Sequence, residues 1–238
     1  MLILFTLNTH FTYFAILALS LAGPLLLSFD KKVAYYKQWK HLLPAICIAA
    51  VPYLIWDSYF TYVQVWQFNP TYIYGPSFFL LPIEEWLFFI IVPFCSLFIY
   101  ECVRSYFPAI IKQQWGNYVL TAIGCILFIT GIIYHQKIYT AYTFIFCSAF
   151  IACLFIFKGF FKAFNATLFL VAYCIILIPF LIVNGFLTAT PVLIYNNHQT
   201  LAIRLFTIPF EDIFYGMLLL LIITAFFEKF RAKQNHIG

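Results

Sequence analysis

Two short stretches carry residues able to move a proton where water is scarce. Leu81-Pro82-Ile83-Glu84-Glu85-Trp86 and Ile208-Pro209-Phe210-Glu211-Asp212-Ile213 each set two adjacent carboxyl groups directly after a proline–apolar step, within a long apolar segment. A charged side chain at the centre of a membrane helix costs roughly 2.5–3.5 kcal/mol. Four such groups in two matching places therefore point to chemistry. Neighbouring helical residues project about 100° apart, so one acid of each pair is expected to face a cavity and the other to be bonded between helices. Desolvation and like charge favour the neutral acid, whereas a helix N-terminus following proline favours the carboxylate. Desolvation is expected to prevail, leaving at least one acid to donate a proton and a neighbour to receive one. The plainer alternative is that these acids pin helices together or pair with Arg204.

The elements that must position them are membrane helices. The 238-residue chain is 65% hydrophobic, 22% aromatic and only 9% charged, against about 25% charged residues in a soluble domain. Its net charge of +5 is spread between apolar runs, which reads as membrane topology and not as a nucleic-acid patch. Spans of about 20 apolar residues are expected at 3–28, 41–59, 78–100, 117–134, 138–157, 166–184 and 205–227. The first lacks a basic leader and a small-residue cleavage site, and reads as a retained helix. With alternating crossings, Lys137 and Arg204 fall on one side. Lys31, Lys32, Lys37, Lys40, Arg104, Lys112, Lys158, Lys162, Lys229, Arg231 and Lys233 fall on the other. The basic side is expected to be cytoplasmic, with the N-terminus outside and the C-terminus inside.

The chain repeats itself. An offset of 127 takes Pro82 to Pro209, Glu84 to Glu211 and Glu85 to Asp212. The same step relates Pro52 to Pro179, Asp57 to Asn184, Asn69 to Asn196, Glu101 to Glu228 and Arg104 to Arg231. The expected fold is an all-α membrane protein of seven transmembrane helices. Residues 1–104 and 138–238 form two parallel three-helix repeats, and 105–137 supplies a linker helix that restores the direction of the chain. Both acidic motifs, and Asp57 with Asn184, then sit at one depth, and a single site at the repeat interface follows.

Around that site stand many aromatic rings, among them Trp56, Trp66, Trp86, Phe88, Phe210, Phe214 and Tyr215. Singly such residues pack or mark the interface; together they would stabilise a developing carbocation. Asp57 and Asn184 suit either a supporting role at the site or helix C-terminal capping. Glu101 with Arg104 and Glu228 with Arg231 read as salt bridges at helix ends. The seven cysteines read as small apolar residues. The five histidines form no HxxxH box, helix 7 has no internal lysine, and aspartate-rich diphosphate motifs, GxGxxG and P-loops are absent.

The stretches Ser28-Phe29-Asp30-Lys31-Lys32, Trp56-Asp57, Val65-Trp66-Gln67-Phe68-Asn69-Pro70, Val183-Asn184-Gly185 and the two acidic motifs resemble the membrane lycopene cyclases, both halves standing in one chain. That resemblance covers nearly the whole sequence. It implies an integral protein of a bacterial-type cell membrane that cyclises lycopene to β-carotene through γ-carotene, with no metal or cofactor. Glu84, Glu85, Glu211 and Asp212 would form the acid/base set. Trp56, Asp57, Trp66, Pro82, Trp86, Phe88, Asn184, Pro209, Phe210, Phe214 and Tyr215 would hold the substrate. Its partners would be lycopene, carotenoid intermediates and the lipid bilayer, without nucleic acid, in a homo-oligomer or a complex with other carotenoid enzymes. Relatives acting on C50 carotenoids or on one end only are the nearer alternatives. A proton-coupled transporter, which would convert nothing, is the more distant one.

Overall fold

The computed structural model describes residues 10–234. It is an all-α, membrane-type fold, with seven α-helices among the described residues: α1 Thr12–Leu27, α2 Trp39–Tyr62, α3 Ile83–Tyr106, α4 Trp115–Ile133, α5 Ile138–Ile156, α6 Ala166–Ala189 and α7 Glu211–Gln234. All but α1 are long and apolar enough to cross a membrane. The 16 residues of α1 fall short of the expected 3–28, of which residues 3–9 lie outside the described ones. Six short strands complete the fold: β1 Trp66–Phe68, β2 Ser77–Phe78, β3 Leu81–Pro82, β4 Leu193–Tyr195, β5 Arg204–Leu205 and β6 Ile208–Pro209. α1 and α6 pack against α3, while α2 and α5 pack against α7; α4 lies on α5 and α6.

Two expected spans begin too early. α3 starts at Ile83 and α7 at Glu211, instead of 78 and 205, because the apolar residues before each helix form a hairpin. Ser77 pairs with Pro82 and Phe78 with Leu81; Arg204 pairs with Pro209 and Leu205 with Ile208. The turns place Phe79, Leu80 and Phe206 at φ of 51°, 67° and 57°. Bulky residues seldom adopt that region, and their apolar character hides the turn. Each helix can start only after its proline, since Pro82 is extended at φ −63°, ψ 154° and lacks the N–H that a continuing helix would use. The two acid pairs consequently occupy the first turns of α3 and α7.

The same contacts recur at the 127-residue step. β1 and β4 pair antiparallel with Gln67 facing Ile194, its own counterpart. On either side the Asn69 N–H donates to the Val192 carbonyl and the Asn196 N–H to the Val65 carbonyl, both at 2.9 Å. Strands that pair in this way are related by a local two-fold axis. At the other ends of α3 and α7, each arginine bridges both glutamates. Arg104 meets Glu101 at 3.2 Å and also Glu228; Arg231 meets Glu228 at 2.7 Å and Glu101 at 3.0 Å. The expected i, i+3 salt bridges are present, and each arginine also reaches the glutamate of the other helix. The seven cysteines are all free.

Helices in lipid associate through close packing more than through a hydrophobic drive. One close approach is at Gly116 on α4, where an added Cβ would lie 2.4 Å from the backbone of Thr167 on α6. Its N–H also donates to Thr167 Oγ1 at 3.0 Å. Gly116→Ala is expected to lift α4 off α6 and destabilise the protein by about 1–3 kcal/mol, read as a lower melting temperature in detergent. Gly23→Ala, with nothing within 4 Å of its new methyl, should not lower it.

Candidate active site

Each acidic motif is delivered by a hairpin followed by a helix start. The Ile83 N–H donates to the Pro76 carbonyl and the Phe210 N–H to that of Ile203, both at 3.0 Å. In the first helical turn the adjacent acids then diverge. Glu84 and Glu211, both fully buried, turn back to the loops. Glu84 accepts from the Tyr74 N–H at 2.6 Å, and Glu211 from the Leu201 N–H at 2.6 Å and the Thr140 hydroxyl at 2.5 Å. Tyr74 and Leu201 are themselves 127 residues apart.

Glu85 and Asp212 turn the other way, into one cavity of about 40 Å³ that Asp57 and Asn184 also line. All three carboxyl groups are buried, and each is gripped by phenols from another element. The Tyr13 hydroxyl donates to Glu85 at 2.6 Å, and that of Tyr215 donates to Asp57. Asp212 accepts from Tyr139 at 2.6 Å and from Tyr195 at 2.9 Å. Burial, and then the Asp212 carboxylate, push the Tyr195 phenol well above its usual range, so it remains a neutral donor.

Rings form the walls. Trp66 lies edge-on to Tyr139, Tyr195 and Tyr215 at 5.3, 5.8 and 6.2 Å. Phe68, Phe88 and Phe180 complete the lining, with Gly216 among them. The ring of Phe180 rests on Gly216, where a Cβ would meet it at 2.8 Å. Phe88 and Phe180 also border a second space, an apolar groove of about 390 Å³ between α1, α3 and α6.

Of the residues expected at the site, Asp57, Trp66, Glu85, Phe88, Asn184, Asp212 and Tyr215 line the cavity. Glu84 and Glu211 do not, because one step along a helix turns them away. Pro82 and Pro209 belong to the hairpins. Trp86 lies near Phe79, at 6.4 Å, and Phe210 and Phe214 pack on each other at 5.4 Å. Trp56 stands behind the wall, 5.2 Å from Tyr215. Arg204 bonds to Asn197 and to the Thr207 carbonyl, each at 2.7 Å, and makes no ion pair with the motif acids among the described residues. Among those residues no group of three His, Cys, Asp or Glu is arranged to hold a metal.

Sequence reasoning named Tyr215 but missed the other three phenols. Tyr13 and Tyr139 open α1 and α5 in corresponding places, but they are 126 residues apart, one short of the step that gathers the other pairs. Tyr195 is the counterpart of Phe68; the shared ring hides the added hydroxyl.

The profile of the family described as Lycopene cyclase matches this chain twice, at residues 10–103 and 136–230. No curated protein and no solved structure matches it. The first matched segment holds Tyr13, Asp57 and Glu85, and the second holds Tyr139, Tyr195 and Asp212. The chain belongs to the lycopene cyclase family.

Proposed function

We propose that this chain closes the acyclic ends of lycopene into β-rings by proton transfer inside the acid cavity, with no net oxidation or reduction. The observation that carries the reading is the convergence of Asp57, Glu85 and Asp212, drawn from both halves of the chain, on one aromatic-walled cavity. Asp57 and Glu85, from α2 and α3, face the same cavity, and two carboxyl groups gathered in one site can hold a proton between them. That pair is the acid. Asp212, held by two phenols at the same cavity, is the base. Of the four motif acids, Glu84 and Glu211 act as positioning residues.

In the step itself, the Asp57–Glu85 pair gives its proton to the terminal carbon–carbon double bond, leaving a tertiary cation. The C5–C6 double bond attacks, closes the ring and moves the charge to C5. Asp212 removes the proton from C6, and the electron pair of that bond becomes the ring double bond. One proton enters and one leaves, so product and substrate are isomers. Trp66, Phe68 and Phe88 line the cavity, and an aromatic face attracts a desolvated cation by about 2 kcal/mol. The same walls keep out the water that would capture it.

The supporting frame is also part of the proposal. The chain spans a bacterial-type cell membrane seven times, N-terminus outside and C-terminus inside. Residues 1–104 and 138–238 act as parallel repeats joined through 105–137. The recurrence of hydrogen bonds at the 127-residue step supports the repeats. The gathering of basic residues on the α1–α2, α3–α4 and α5–α6 connections and at the end of α7 supports the orientation.

In lycopene-accumulating cells, Glu85→Gln, Asp57→Asn and Asp212→Asn are each expected to slow cyclisation by about 10²–10⁴-fold, measured by pigment chromatography. If all three amides make cyclic product at the parental rate, the acid/base assignment is wrong. Glu84→Gln should act mainly through stability, lowering the amount of folded protein more than the rate per molecule. Membranes assayed in deuterium oxide should give rings bearing a single new deuterium each; rings without label would exclude protonation as the first step. With lycopene in excess, γ-carotene should build up before β-carotene, as expected when the ends are processed in separate visits.

A further inference from the structure

We propose that the groove between α1, α3 and α6 holds the polyene chain of the substrate, and that the pseudo-equivalent groove between α5, α7 and α2 is shut by Trp56 and Phe146. The inference rests on the cyclase reading above and assigns the site that sets how the hydrocarbon enters. The ligand class is a long linear hydrocarbon with conjugated double bonds.

Three observations carry it. The groove of about 390 Å³ is lined almost wholly by apolar side chains, and Phe88 and Phe180 belong to its wall and to that of the acid cavity. A chain lying in it would reach Glu85 and Asp57 past Phe88 and Phe180, the side chains that the two spaces share. Along α3 the groove follows Phe88, Val92, Cys95 and Ile99, one helical face about 16 Å long at 1.5 Å per residue. That is about half the hydrocarbon thickness of a bilayer, so a chain in the groove runs lengthwise through the membrane with one end at the acids.

The repeat then sets the two sides apart. Val183 and Leu19 line it. Their counterparts at the 127-residue step are Trp56 and Phe146, and these rings meet each other edge to face at 5.2 Å. Where the open side has Val and Leu, the closed side has an indole against a phenyl. The shared wall at Phe180 differs as well. Phe180 lies over Gly216, with no side chain behind it, while its counterpart Tyr53 packs against Phe89 at 5.5 Å. One side of the pseudo-symmetric bundle yields and the other is filled.

The test compares Val183→Trp, which copies the closed side into the open groove, with Ile132→Trp, which adds the same ring to the exposed surface of α4. Two readouts are taken: cyclic product in lycopene-accumulating cells, and lycopene co-purified with protein carrying Glu85→Gln, in which turnover is blocked. Val183→Trp is expected to lower both by about tenfold or more, with Ile132→Trp at parental levels in both. Leu19→Phe, a smaller addition on the opposite wall, should lower both in the same direction and serves if the larger substitution prevents folding. A folded Val183→Trp or Leu19→Phe protein that binds lycopene and forms rings as the parent does overturns the groove assignment. If the parent forms no rings yet binds lycopene, and Val183→Trp does not, the groove stands and the cyclase reading falls.

Discussion

A carboxyl group placed within lipid must receive its hydrogen bonds from the protein, because no water is there to supply them. That requirement organises this bundle. Glu85 on α3 needs Tyr13 of α1, Asp57 on α2 needs Tyr215 of α7, and Asp212 on α7 needs Tyr139 of α5 and Tyr195 of β4. Three buried acids thereby tie five helices and a strand together at one level. The cavity is where their donors converge, and it would disperse without them. Phenols suit this role because they satisfy the acid while adding ring surface to the wall.

Neighbouring acids in each motif do different work because a helix turns between them. Glu84 and Glu211 fasten the loops at Tyr74 and Leu201, and those loops lead into the hairpins that launch α3 and α7. Glu85 and Asp212 are aimed inward by the same two helix starts. Loop-bound and cavity-facing acids are therefore one residue apart, and a shift of a single position in either hairpin would change which acid faces the cavity. The prolines guard against that shift by fixing where each helix begins.

Much of this was legible in the sequence. The 127-residue step named the pairs that recur in the hydrogen bonding, and the acid–amide difference between Asp57 and Asn184 marked two residues that do line the cavity. The split within each acid pair followed from helical geometry. What escaped did so for physical reasons. Apolar residues 78–82 look like membrane helix, since nothing in Phe79 or Leu80 announces a left-handed backbone. Tyr13 and Tyr139 lie out of register by one, and a tyrosine in a chain with 17 of them does not advertise which carboxyl group it serves. The groove left no signal in either repeat alone. It arises from differences between them, Val183 against Trp56 and Leu19 against Phe146, which matter only once the helices are packed.

The ribbon formed by β1 and β4 carries a consequence for how such a chain can be built. A strand that pairs antiparallel with its own counterpart, Gln67 opposite Ile194, presents a self-complementary edge, the hallmark of an isologous contact. The crossed Arg104–Glu228 and Arg231–Glu101 bridges have the same reciprocal form. The two halves thus recognise each other as subunits of a dimer would. The covalent join through α4 raises their effective concentration without creating the fit, so severing it would leave two polypeptides still shaped to reassociate.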